Sequence, residues 1–178
     1  MKAPTKRMVK LNLGSGPWKA EGFLNVDIIN HPNVDIVHNL NEVPWPFEDE
    51  SVGHVHAKNI LEHLDDLVLT MEEIWRILIP GGTTEIVVPY YNCTGAFRDP
   101  THKQFFTEHT FDYFSVNRSL SHYNYYSKCR FEVVGITLHP VRRFLRELPR
   151  GFLLLLAHNF CLIHAITFLL HKPDHETT

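Results

Sequence analysis

The chain has 178 residues, enough for one domain with a substantial core and too few for two ordinary ones, so a single domain over residues 1–178 is expected. Hydrophobic residues make up 44% and charged residues 21%, the balance of a soluble globular protein, and a formal net charge of −3 excludes a global pull toward nucleic acid. Cys93, Cys129 and Cys161 are far apart and form no CxxC pair, which excludes a disulfide framework and a cysteine zinc site. Met1 to Lys10 is basic but has no apolar stretch of signal-peptide length, so a reducing, cytoplasmic setting is expected.

Val9 to Leu13 is a short apolar run ending at Gly14-Ser15-Gly16-Pro17, the pattern of a buried strand entering a tight turn. Phe23 to Ile28 reads as a second strand, Val34 to Val37 as a third and Val52 to Ala57 as a fourth. Pro44 and Pro46 make Val43 to Phe47 a loop. From Ile60 to Leu78 the period becomes helical, with Leu64, Leu67, Val68, Met71, Ile74, Trp75 and Leu78 on one side. Pro80-Gly81-Gly82 is the stop signal, and Thr84 to Val88 the next strand. Phe131 to Leu138 and Ala165 to Leu170 read as two further strands. The alternation implies an α/β fold, a doubly wound and mostly parallel sheet. The link from Gly16 to Phe23 is too short for a helical crossover and is expected to be a loop.

In such sheets ligands bind beyond the carboxyl ends of the strands, where strand order reverses. Gly14-Ser15-Gly16, Asp27, Asn39 and Lys58-Asn59 all fall at such ends. Glycines let a ligand approach the backbone, and their amides favour a carboxylate or phosphate. A carboxylate ending the next strand suits two ribose hydroxyls. Lys19 stands where a dinucleotide fingerprint has its third glycine, which disfavours a nicotinamide dehydrogenase.

The blocks LNLGSG, GFLNVDI, DIVHNLNEVPWPFEDESV, ILEHL, RILIPGG and DPTHKQFFT, in that order, resemble the class I S-adenosylmethionine-dependent methyltransferases, in particular a compact bacterial and archaeal branch. The resemblance spans Lys10 to about Phe114 and, more faintly, Phe131 to Lys172. It implies a Rossmann-like methyltransferase fold with one antiparallel strand near the C-terminus, for which Ala165 to Leu170 is the candidate. It further implies S-adenosylmethionine as cofactor and methyl transfer to a small-molecule acceptor. Gly14, Ser15 and Gly16 would take the methionine end of the cofactor, with Asn12 near its amino group. Asp27, with Ile28 after it, matches the ribose-binding acid. Asn39, followed by Leu40, matches the adenine side, where this branch more often carries Asp, and Asn59 would lie near the methyl group.

His102 and His63 are the candidate catalytic bases, with His102 favoured because it follows the fifth strand on an aromatic-rich connection. Tyr90, Tyr91, Phe97, Phe105, Phe106 and Tyr113 could roof a pocket for an aromatic or apolar acceptor, or simply pack the core. His54 and His56 share a strand face, but spacing supplies no third ligand and the resemblance implies no metal, so none is expected. Gly151 to Leu170 approaches transmembrane length, but His158, Asn159 and His164 interrupt it. A helix from Pro149 to about Phe160 followed by a strand explains the tract. Arg142, Arg143, Arg146 and Arg150 before it leave peripheral membrane contact open, and the alternative to an enzyme is a catalytically weak or silent S-adenosylmethionine-binding protein with such an association.

Overall fold

A computed structural model describes residues 8–118 and 121–174. The basic stretch before Met8 and the side chain of Arg143 lie outside what it describes. The strands are β1 (Val9–Leu13), β2 (Leu24–Asp27), β3 (Ile36–Val37), β4 (Val52–Lys58), β5 (Leu78–Pro89), β6 (Glu132–Pro140) and β7 (Ile163–His171). The helices are α1 (Leu67–Ile77), α2 (Thr94–Arg98) and α3 (Arg150–Ala157). The seven strands form one sheet in the order β3-β2-β1-β4-β5-β7-β6. Pairings from β3 through to β5 are parallel, whereas β7 runs antiparallel to both β5 and β6. The expected fold and its antiparallel strand are therefore present, and strand order reverses between β1 and β4.

Helix α1 carries one of the β4–β5 crossover's two parts. The helical period beginning at Ile60 divides into a 3-10 turn at Leu61–His63 and α1 proper. The break comes from Leu64, whose backbone is extended, and from Asp66, whose carboxylate accepts from the Leu69 amide at 3.0 Å as the helix cap. His63 thus closes a short turn rather than starting a helix. At the other end the helix stops at Ile77 and β5 begins at once. The Pro-Gly-Gly segment lies inside that strand, at a register shift between the Val52–Leu78 and His54–Thr83 pairs. Likewise the Gly151 to Leu170 tract divides into α3 and β7, and among the described residues no helix is long and apolar enough to cross a membrane.

Strand alternation separates two faces. Leu11, Val55, Ile86, Phe168 and Leu170 are completely buried on one, against Met71, Ile74 and Ile77 of α1 and the aromatic segment Phe106, Phe111, Phe114 and Phe131. The other face follows β1, β2 and β3, which succeed one another with no helix between them. Across it run Lys10, His54, Thr83, His171 and Glu132 in one register row, and Asn12, His56 and Glu85 in the next. Several of the thirteen histidines are explained by this face, which is half-exposed and consequently polar.

The proline loop before β4 is held from α1. Arg76 donates to the Phe47 carbonyl (2.8 Å), the Trp45 carbonyl (3.1 Å) and the Asp49 carboxylate (2.7 Å), and pairs with Glu73 (2.7 Å). Glu73 in turn accepts from the Trp45 amide at 2.7 Å. Burial alone would raise the Glu73 pKa, but the hydrogen bonds from Arg76 and the Trp45 amide outweigh it and hold the group below the ordinary glutamate range. A depressed carboxylate stabilises the fold above its unfolded pKa and loses that contribution as pH falls through the folded value. Glu73→Gln should therefore cost roughly 1.5–3 kcal/mol at neutral pH, a gap that narrows on acidification. Urea denaturation of both proteins across an acidic pH series checks this.

Candidate active site

Two adjoining cavities open at the carboxyl ends of the strands. The smaller, about 180 Å³, is lined by Gly14, Asp27, Ile28, His38, Asn39, Leu40, Asn41, Ile60, His63 and Leu64. The larger, about 810 Å³, is bordered by residues that include Lys58, Asn59, Glu62, His63, Arg98, Asp99 and His102. His63 borders both.

The smaller cavity depends on Gly14. Its φ is +62°, and a Cβ there would lie 2.6 Å from Ile60 Cβ. Only glycine satisfies both the left-handed backbone and the close approach. Gly16 also has positive φ, and its amide donates to Asp27 Oδ2 at 2.7 Å, while the Ile29 amide donates to Oδ1 at 2.9 Å. Two backbone donors therefore fix the Asp27 carboxylate at the cavity wall. Asn39 is held by its own turn: its Nδ2 donates to Glu42 Oε1 (3.0 Å) and its Oδ1 accepts from the Asn41 amide (3.1 Å). An aspartate at 39 would face the Glu42 carboxylate, which gives the asparagine a physical reason. Trp45 lies beneath, 2% exposed, donating through Nε1 to the Leu40 carbonyl at 3.0 Å.

Of the residues singled out in the sequence, Gly14, Asp27, Ile28, Asn39 and Leu40 thus meet at one cavity, and Asn59, His63 and His102 at the other. Asn12, Ser15 and Gly16 line neither. Asn12 is engaged on the polar sheet face, donating to Asn25 Oδ1 and lying 3.0 Å from His56 Nδ1. Asn59 closes β4 with φ +54°, a left-handed conformation that asparagine tolerates better than most residues.

The larger cavity contains groups that sequence reading passed over. Glu62 is 1% exposed, and neither carboxylate oxygen has a hydrogen-bond partner among the described residues. Burial pushes its pKa up to about 7. Its backbone carbonyl accepts from the amides of Lys103 (2.7 Å) and Gln104 (3.2 Å), which fastens the connection after β5 onto the Leu61–His63 turn. That fastening brings the His63 and His102 rings to 4.7 Å between centroids. One ligand atom from each of Glu62, His63 and His102 lies within 4.8 Å of the others.

Hydrogen bonding sets both tautomers. His102 Nδ1 is 2.9 Å from the Ala96 carbonyl, which can only accept, so Nδ1 carries the proton. The Thr101 hydroxyl donates to Asp99 Oδ1 (2.7 Å), so its oxygen accepts from His63 Nδ1 at 2.9 Å. Each neutral imidazole is left with Nε2 as its lone-pair nitrogen. Burial, and then the neighbouring His102, lower the His63 pKa and favour that neutral form. His54 and His56 do share a face, but they bond Thr83 and Asn12 and belong to no such cluster.

The aromatic residues do not border the larger cavity. Tyr90 and Phe106 are fully buried core, and Phe97 stacks on Phe105 at 4.8 Å with both exposed. The sequence signal that could have found Glu62 is its place beside His63 in ILEHL, and for Asp99 its place in DPTH. By contrast, His139 and His164 reach the cavity from β6 and β7, at a separation no local spacing reveals.

Residues 22–86 match the methyltransferase domain family. No curated protein sequence matches the chain. Among solved structures, a SAM-dependent methyltransferase from Archaeoglobus fulgidus is similar, with TM-score 0.63 and 15% identity over 93% of this chain and 86% of that one. An S-adenosylmethionine-dependent methyltransferase from Mesorhizobium loti has TM-score 0.60 and 13% identity over 93% and 91%. A phosphoethanolamine N-methyltransferase from Haemonchus contortus, in complex with phosphomonomethylethanolamine and S-adenosylhomocysteine, has TM-score 0.56 and 14% identity over 93% and 49%.

Gly14→Ala should cost about 2–4 kcal/mol, from positive φ plus overlap with Ile60. Gly22→Ala, at φ +82° with open space around its Cβ, should cost only about 1–2 kcal/mol. Paired denaturation curves of the two variants check the difference.

Proposed function

We propose, on the premise that this chain is a methyltransferase of the class I fold, that it binds S-adenosylmethionine across the two cavities and methylates a small polar acceptor. The adenosine would occupy the smaller cavity and the methyl group would point into the larger one. The observation that carries this reading is the junction at His63, which joins a cavity bearing a ribose-type carboxylate to one bearing acid–base groups. Asp27 suits the two ribose hydroxyls, since its oxygens keep free lone pairs beside the Gly16 and Ile29 amides. Ile28, Leu40 and Ile60 offer apolar surface to adenine. Gly14, Ser15 and Gly16 would guide the methionine end, with Asn12 supporting them from β1.

A sulfonium is already a good leaving group, so the protein's work is alignment and exclusion of water. The acceptor's lone pair forms a bond to the methyl carbon as the sulfur–carbon bond breaks, leaving neutral S-adenosylhomocysteine. The acceptor's proton passes to the cluster at the cleft floor, with His102 Nε2 the favoured recipient and His63 its neighbour. Asn59 stands at the same edge, near the methyl path. The lining by Lys58, Arg98, His139 and His164 supports a polar acceptor carrying an anionic group, in place of an apolar or aromatic one.

Calorimetry should show S-adenosylhomocysteine binding in preference to NAD. Loss of two charge-assisted bonds in Asp27→Ala, roughly 1.5–3 kcal/mol each, should weaken that binding about a hundredfold or more. Tight NAD binding with no adenosyl-ligand binding would overturn the reading. With an acceptor in hand, His102→Ala should lower turnover roughly a hundredfold at nearly unchanged cofactor affinity. Full turnover in that variant would remove His102 from the reaction.

A further inference from the structure

We infer that Glu62, His63 and His102 form a binding site for a divalent transition-metal ion, whose open coordination positions face the acceptor cleft. The inference rests on the reading of that cleft as the acceptor site and specifies how an acceptor is held there.

Four observations converge. Glu62 is 1% exposed with both oxygens unpartnered, a state that a buried carboxylate does not keep without a proton or a cation. Both imidazoles have Nδ1 committed to hydrogen bonds, which leaves Nε2 as the metal-binding nitrogen of each. Their partners are the supporting groups that metal-bound histidines ordinarily have: a backbone carbonyl at Ala96 and the Thr101–Asp99 pair. Finally, one potential ligand atom from each of the three side chains already lies within 4.8 Å of the others, so the cluster is compact enough to close on an ion by side-chain adjustment.

The donor set selects the ion. Two imidazole nitrogens and one carboxylate oxygen suit Zn²⁺, Co²⁺, Fe²⁺ or Mn²⁺, whereas Mg²⁺ and Ca²⁺ prefer oxygen alone. Three protein ligands leave positions open for exogenous oxygen, as in catalytic rather than structural sites. The acceptor class that fits is a hydroxyl-bearing molecule, whose oxygen would ligate the ion, lose its proton more readily and be held in line with the methyl group. In the loaded site both ring nitrogens of His63 and His102 are engaged, so the imidazoles act on the acceptor through the ion, and the hydroxyl proton leaves to solvent water in place of His102 Nε2. His102→Ala would lower turnover by either route, so metal binding itself is the discriminating measurement.

The full chain, stripped with chelator, is titrated with Mn²⁺ followed by electron paramagnetic resonance, a probe little drawn to the thiols of Cys93, Cys129 and Cys161. Saturable binding of a single ion is expected, with Mg²⁺ a poor competitor. Glu62→Gln should weaken binding by more than the roughly 10–100-fold that loss of a supporting partner costs, and Thr101→Val should fall within that range. His54→Ala on the polar sheet face should bind as the wild type does. S-adenosylhomocysteine binding, measured on every variant, reports that the fold is intact. Absence of Mn²⁺ binding by wild-type protein that still binds S-adenosylhomocysteine would overturn the metal site and leave the cofactor reading standing. Unchanged Mn²⁺ affinity in Glu62→Gln would overturn it equally. Should Glu62→Gln fail to fold, the wild-type titration and Thr101→Val decide the matter.

Discussion

The contact between Gly14 and Ile60 is the constraint on which the site depends. It brings the end of β1 against the end of β4, the point where strand order reverses. No side chain fits at position 14, so the turn that leaves β1 can pass over Ile60 and let Gly16 reach the Asp27 carboxylate. Ile60 then leads directly into the Leu61–His63 turn, which carries Glu62 and His63. One close approach thereby sets the distance between the Asp27 carboxylate and the polar cluster.

Economy elsewhere has a visible consequence. With β1, β2 and β3 joined by loops, the sheet keeps one face polar and packs its core against the other. Phe23 covers part of the polar face, edge-on to His54 and His56 at 5.9 and 6.2 Å between ring centroids. The core side compensates with large aromatics, including the Phe111–Phe168 pair at 4.6 Å and Trp75 against Phe131 at 4.9 Å. The site therefore lies along the sheet's upper edge, built from strand ends and two connections, and borrows little from helices.

Strand identity and the loop-like Gly16–Phe23 link were legible because each has a local signature, an apolar run and a missing length of chain, whereas the antiparallel direction of β7 was implied only by the family resemblance. Helix boundaries were less legible. Leu64 continues the helical period of α1, yet its extended backbone and the Asp66 cap put it outside the helix. The Pro-Gly-Gly segment read as a stop because its bulged pairing within β5 is a tertiary fact. In the site, Gly14, Asp27 and Asn39 followed from their positions at strand ends. The unpartnered state of Glu62 did not, because it depends on what the connection after β5 leaves uncovered. Nor did the fit of Asn39 to Glu42, which needs the turn geometry.

The most direct test of the central claim is the structure of the full chain with S-adenosylhomocysteine bound. The ribose hydroxyls should lie on Asp27, adenine between Ile28, Leu40 and Ile60, and the thioether sulfur at the His63 junction facing the larger cleft. A ligand seated elsewhere, or one whose sulfur points away from Glu62, His63 and His102, would contradict the account.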